Sequence, residues 1–178
     1  MSQPPTLPDL DLDPDTAEAA YHALRQSLQP VLAGTQPVHL IGIHSGGAWV
    51  AQRLHRELAV ATPLGLLSSA FHRDDYGKRV GRGLPTDLKA SELPFSIDGA
   101  HLVLVDDILF TGRTVRAALN ELFDFGRPAR VELAVLIDRG GRELPIEAGY
   151  CGVRAPLASP LNYVLSRDAA DHFSLRIE

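Results

Sequence analysis

Two periods alternate in the hydrophobic pattern of this chain. Ala17, Ala20, Tyr21, Leu24, Leu28 and Val31 recur at helical spacing and predict an amphipathic helix. Asp13-Pro14 predicts its start, with proline at the first helical position. Val38 to Ile43 reads as a strand, and Trp49, Val50, Arg53, Leu54 and Leu58 as a helix entered through a glycine turn. Leu64 to Phe71 predicts a further strand. Leu102 to Val105 is an unbroken apolar run, as in a strand buried on both faces. Asp106 and Asp107 break that run, and Ile108 to Phe110 reads as a short loop. Val115, Ala118, Leu119, Leu122 and Phe123 return to helical spacing until Gly126-Arg127-Pro128 ends the segment. Val131 to Ile137 predicts another buried strand, while Leu161–Leu165 and Phe173–Ile177 predict edge strands.

With 178 residues, 45% of them hydrophobic, and no internal repeat, the pattern describes one α/β domain, residues 15–178. Residues 1–14 carry Pro4, Pro5, Pro8 and Pro14 among polar groups and predict a disordered tail. Charge narrows the partners: 17 basic against 22 acidic residues give −5, so RNA binding would need a local basic face. The single Cys151 excludes an internal disulfide framework and fits a reducing compartment. Neither a signal segment nor a bilayer-length apolar run is present, which predicts a soluble cytoplasmic protein without membrane contact. The seven histidines lack His-Glu-x-x-His or cysteine-paired spacing, which argues against zinc.

Candidate chemistry concentrates between His101 and Ala118. A helix start offers unpaired N–H groups and partial positive charge. Thr111 and Thr114 add hydroxyls, Gly112 permits close approach, and Arg113 makes sense at a helix N-terminus if an anion sits there. Asp106 and Asp107 can accept hydrogen bonds from a sugar diol or hold Mg2+ through water. Together these parts suit a phosphorylated ribose. An ordinary strand-to-helix turn with a threonine cap is the alternative, and the close succession of all the parts favours the binding site. The glycine patterns of nucleotide-triphosphate and dinucleotide loops are both missing. A second glycine turn, Gly42-Ile-His-Ser-Gly-Gly47, is either another anion site or a turn selected for backbone geometry alone. Residues 73–92 form a charged, aperiodic stretch readable as a surface loop or as a flexible lid arm.

Val103-Leu-Val-Asp-Asp-Ile-Leu-Phe-Thr-Gly-Arg-Thr114 resembles the PRPP-binding signature of type I phosphoribosyltransferases. Asp106–Arg116 together with Leu133-Ala-Val-Leu-Ile-Asp-Arg-Gly-Gly-Arg-Glu-Leu-Pro-Ile146 resembles the PyrR branch, pyrimidine-operon attenuators that are also uracil phosphoribosyltransferases. Gly42–Gly47 and Phe71–Asp75 fall at that family's other landmarks. The resemblance implies an open, mostly parallel twisted sheet flanked by helices, with residues 73–92 as the lid. It implies transfer of phosphoribosyl from PRPP to uracil, giving UMP and diphosphate with Mg2+ as cofactor.

Asp106 and Asp107 would then be catalytic and hold the metal through water. Thr111, Gly112, Arg113, Thr114, Ser45, Gly46, Gly47 and Arg73 would bind PRPP, and Asp138 and Arg139 the base. Several relatives carry Lys and Arg in the diphosphate turn, where this chain has His44, Ser45, Gly46 and Gly47 and so no fixed positive charge. Phe110 stands where hypoxanthine-type relatives carry an acid, which favours a pyrimidine. The resemblance further implies pyr operon leader mRNA as partner, UMP and UTP as effectors, and a homodimer or larger assembly. Arg142 and Arg154, with Arg127 and Arg139, are the candidates for an RNA face. A regulator with vestigial catalysis and a transferase for another nucleobase stay open at this point.

Overall fold

The computed structural model describes residues 15–68 and 90–178. The first helix, α1, runs Thr16–Leu32 behind Asp15, so it begins two residues later than Pro14 predicts; Pro14 itself lies outside the described residues. Strand β1, Val38–Ile43, leads into α2, Gly46–Glu57, and then into a short β2, Gly65–Leu67. Phe71, expected to end that last strand, lies outside the described residues, as do the tail 1–14 and residues 73–89 of the expected lid. Glu92, at the lid's predicted end, is already anchored: its backbone exchanges two hydrogen bonds with Leu66.

Strand β3, His101–Leu109, continues through the acidic pair instead of stopping at Val105. Its outer half keeps a parallel partner in β4, Arg130–Asp138, with Asp106 opposite Val135 and Leu109 opposite Asp138. Between them α3, Arg113–Phe125, buries Val115, Ala117, Ala118 and Leu122. Phe123, placed on the buried stripe by its spacing, is instead 41% exposed, with the Arg127 guanidinium 5.7 Å from its ring. β5, Tyr150–Arg154, joins the sheet at its edge and was not visible in the pattern. β6, Tyr163–Arg167, and β7, Phe173–Ile177, do not extend this sheet; they pair antiparallel as a separate ribbon.

The main sheet has order β2-β1-β3-β4-β5, with every pairing parallel. Chain order therefore reverses between β1 and β3. Right-handed crossovers in opposite directions place helices on opposite faces, and the core divides accordingly. Val103 and Val105 pack with α1 and α2, whereas Leu102 and Leu104 pack with α3. In open parallel sheets ligands bind beyond the carboxyl ends of strands at such a reversal.

Candidate active site

At the reversal, β1 delivers Ser45, Gly46 and Gly47 and β3 delivers Asp106 and Asp107. The two turns are in contact. A Cβ on Gly46 would overlap the Asp107 carboxylate, and one on Gly47 would overlap the Val105 carbonyl and lie 2.7 Å from the Asp106 Cα. Only glycine lets the N-terminus of α2 approach β3 this closely. Ser45 occupies the N-cap of α2, and the His44–Ser45 peptide is cis.

The two carboxylates have different surroundings. Asp106 is buried and accepts a hydrogen bond from the Asp107 N–H at 3.0 Å. Asp107 is half-buried and lies against Gly46. Beyond them, Gly112 sits at φ +90° as the N-cap of α3, a left-handed conformation that favours glycine. The Thr111 hydroxyl accepts from the Arg113 N–H at 3.2 Å. The Arg113 guanidinium meets a carboxylate already supplied by the protein: its Nε donates to Glu143 Oε2 at 2.7 Å. A cation at the positive end of a helix is unfavourable alone, and Glu143 offsets it. The pattern gave no sign of Glu143, because nothing local ties it to a turn some thirty residues earlier. The Thr111 carbonyl also accepts from the Glu143 and Leu144 N–H groups, at 3.0 and 3.1 Å.

The loop after β4 is built inward. Asp138 is buried, accepts from the Gly140 N–H at 3.0 Å, and pairs with Arg142 at 2.6 Å. Arg142, a candidate for an RNA face, turns its guanidinium into the protein and donates to the carbonyls of Ile146, Leu109, Phe110 and Gly140. Five donors in a planar fork suit this gathering of strand-end carbonyls, so Arg142 is a fastening and not an exposed cation. Arg139 is also buried, donating to Asn162 Oδ1 at 2.9 Å and the Leu157 carbonyl at 3.3 Å. Arg127 caps α3 through the carbonyls of Phe123 and Gly126. Arg154 keeps partial exposure, with Glu147 at 3.6 Å. Arg73 and Phe71–Asp75 lie outside the described residues. Burial pushes the Cys151 thiol up to about 11, with the Asp138 charge adding to it, which disfavours the thiolate.

Comparison with known proteins agrees with this geometry. The phosphoribosyl transferase domain family matches residues 12–159. A bifunctional protein PyrR of Ralstonia nicotianae is 48% identical over 154 residues, spanning 85% of this chain and 86% of the relative. PyrR of Nitrosococcus oceani is 54% identical over 121 residues, 67% of each chain. The fold of a hypoxanthine-guanine phosphoribosyltransferase from Bacillus anthracis superposes with a TM-score of 0.61 at 20% identity, covering 85% of both chains. A hypoxanthine phosphoribosyltransferase from Staphylococcus aureus gives 0.59 at 21%, covering 85% of this chain and 80% of its own. With the strand reversal, the abutting glycine turn and the glycine-capped start of α3 all in place, the chain belongs to the phosphoribosyltransferase family, and within it to the bifunctional PyrR proteins.

Proposed function

We propose that this protein transfers the phosphoribosyl group of PRPP to uracil, releasing UMP and diphosphate, and that it regulates pyrimidine synthesis by uridine-nucleotide-dependent binding to pyr operon leader mRNA. The observation that carries the enzyme reading is the contact of Gly46 with Asp107, which joins a diphosphate turn to the ribose carboxylates. Thr111, Gly112 and Thr114 hold the 5′-phosphate through hydroxyls and backbone N–H groups at the start of α3, with Arg113 sharing its charge between phosphate and Glu143. Ser45, Gly46 and Gly47 present the start of α2 to the diphosphate, and Arg73, outside the described residues, is a further diphosphate ligand by family resemblance.

Asp107, the more exposed of the pair, accepts from the ribose hydroxyls and steadies the positive charge that grows at the anomeric carbon as diphosphate leaves. Asp106 fixes the backbone beneath it. Among the described residues no group of three or more His, Cys, Asp or Glu gathers to cage a metal. Mg2+ needs no such cage when one or two carboxylates and substrate phosphates hold it, so Asp107 and Asp106 fit it through water. Bound there, Mg2+ would neutralise the leaving diphosphate. Asp138, with the backbone after β4, lines the base subsite.

Labelled PRPP incubated with uracil, orotate, guanine or no base, with and without Mg2+, tests the enzyme reading. UMP forms from uracil alone and requires the metal; equal turnover of guanine, or none of uracil, refutes it. Asp107→Asn lowers turnover roughly 10²-fold or more while leaving Tm near that of the parent. For the regulatory half, Arg154 and the exposed Arg127 are the remaining candidates on an RNA face, since Arg139 and Arg142 point inward. Leader RNA binds more weakly as salt rises and more tightly with UMP; no binding at low salt removes this half of the proposal.

A further inference from the structure

Phe110 stands between β3 and the phosphate turn, and its ring is held from two sides. Arg139 stacks on its face, with the guanidinium carbon 3.7 Å from the ring centroid. Gly141, at φ +71°, lies so close to the ring edge that a Cβ would overlap it. The Phe110 carbonyl is fixed as well, accepting from Arg142 at 2.7 Å. The residue nevertheless stays partly exposed at the carboxyl end of the sheet.

Holding the ring this way works against folding. Arg139 is 3% exposed, has no acidic partner among the described residues, and leaves its Nε buried without a hydrogen bond. Leucine or methionine would pack on Phe110 without desolvating a charge. Local arrangements that oppose stability persist where function requires them. The other guanidinium nitrogens donate to Asn162 and the Leu157 carbonyl, so the group is committed to the protein and not offered to a ligand.

We propose that Phe110 is the specificity-determining wall of the base subsite, and that Arg139 is a positioning residue acting through it, not a group that reads the base. A planar apolar face suits stacking of a single six-membered ring, and it provides no carboxylate for the imidazole half of a purine. This rests on the uracil reading above, and binding measurements separate the two. By calorimetry, Phe110→Leu weakens UMP about tenfold and leaves ribose 5-phosphate within about twofold, the size expected for one lost base–aromatic contact. Phe110→Tyr, which keeps the ring, binds UMP as the parent does.

Arg139→Met weakens UMP in the parent but adds little in the Phe110→Leu background, as coupled residues do. Equal loss in both backgrounds means that Arg139 contacts the base directly and overturns the assignment. Equal weakening of UMP and ribose 5-phosphate by Phe110→Leu, or of neither, removes the wall. Absence of uracil turnover with selective UMP binding intact sinks the enzyme reading and not this one.

Discussion

Asp106 and Asp107 are neighbours in sequence and unlike in surroundings, one buried under its own backbone, the other beside a glycine of the facing turn. The same contrast applies to Gly46 and Gly47. A methyl group at position 46 meets the end of a side chain, the Asp107 carboxylate, which can move aside; at position 47 it meets the Val105 carbonyl and the Asp106 backbone, which cannot. Gly46→Ala therefore lowers turnover at least about tenfold with little change in Tm, because displaced catalytic groups lose rate steeply. Gly47→Ala destabilises by about 1–3 kcal/mol, as overpacking does. Steady-state kinetics and thermal melts on the two variants distinguish these outcomes, and a reversed pattern contradicts the geometry.

At the scale of elements, β3 outruns its apolar stretch. Parallel pairing with β4 supplies backbone partners as far as Leu109, so the strand carries the acidic pair between core residues on either side, at the strand end where β1 and β3 diverge. Composition could not reveal this, since the pairing partner lies a helix away in sequence. β5 has a related requirement: a Cβ on Gly152 would overlap the Ala20 carbonyl of α1 and lie 2.6 Å from the Leu136 carbonyl of β4. Gly152→Ala pushes α1 off the sheet and costs about 1–3 kcal/mol. Chemical denaturation measures it, and an unchanged midpoint would contradict the contact.

The whole molecule is fastened at Arg53, which is 8% exposed. It donates to Glu18 of α1 at 2.6 and 2.9 Å and to Glu57 of α2 at 2.9 Å, and its guanidinium lies over two aromatic faces, Tyr21 at 4.0 Å and Phe173 of β7 at 5.1 Å. Its Nη1 also reaches the Asp171 carbonyl, and Glu18 accepts from the Phe173 N–H at 2.7 Å, so the C-terminal ribbon docks on this pair. Burial alone would raise the Glu18 and Glu57 carboxyls, but hydrogen bonds and charge from Arg53 outweigh it and hold both below the usual carboxylate range. Folded values below unfolded ones mean stability that is complete above the unfolded value of about 4.3 and is lost as pH falls through the lowered values. Tm thus drops on acidification below that range, and Arg53→Met flattens the drop while costing about 3–5 kcal/mol at neutral pH. Melts across the acid range check both statements.

The hydrophobic pattern alone determined the helices that bury one face, α1, α2 and α3, and the strands that bury both, β1 and the inner half of β3. The motif between Val103 and Thr114 determined the family, because the signature resides in consecutive residues. Tertiary structure decided what depends on residues distant in sequence. It sent β6 and β7 to α1 and α2 instead of the sheet edge, turned Arg142 inward to collect strand-end carbonyls, and set Glu143 against Arg113. A hydrophobic pattern records whether a side chain is buried, whereas the partner of a buried charge is chosen only when separate segments meet.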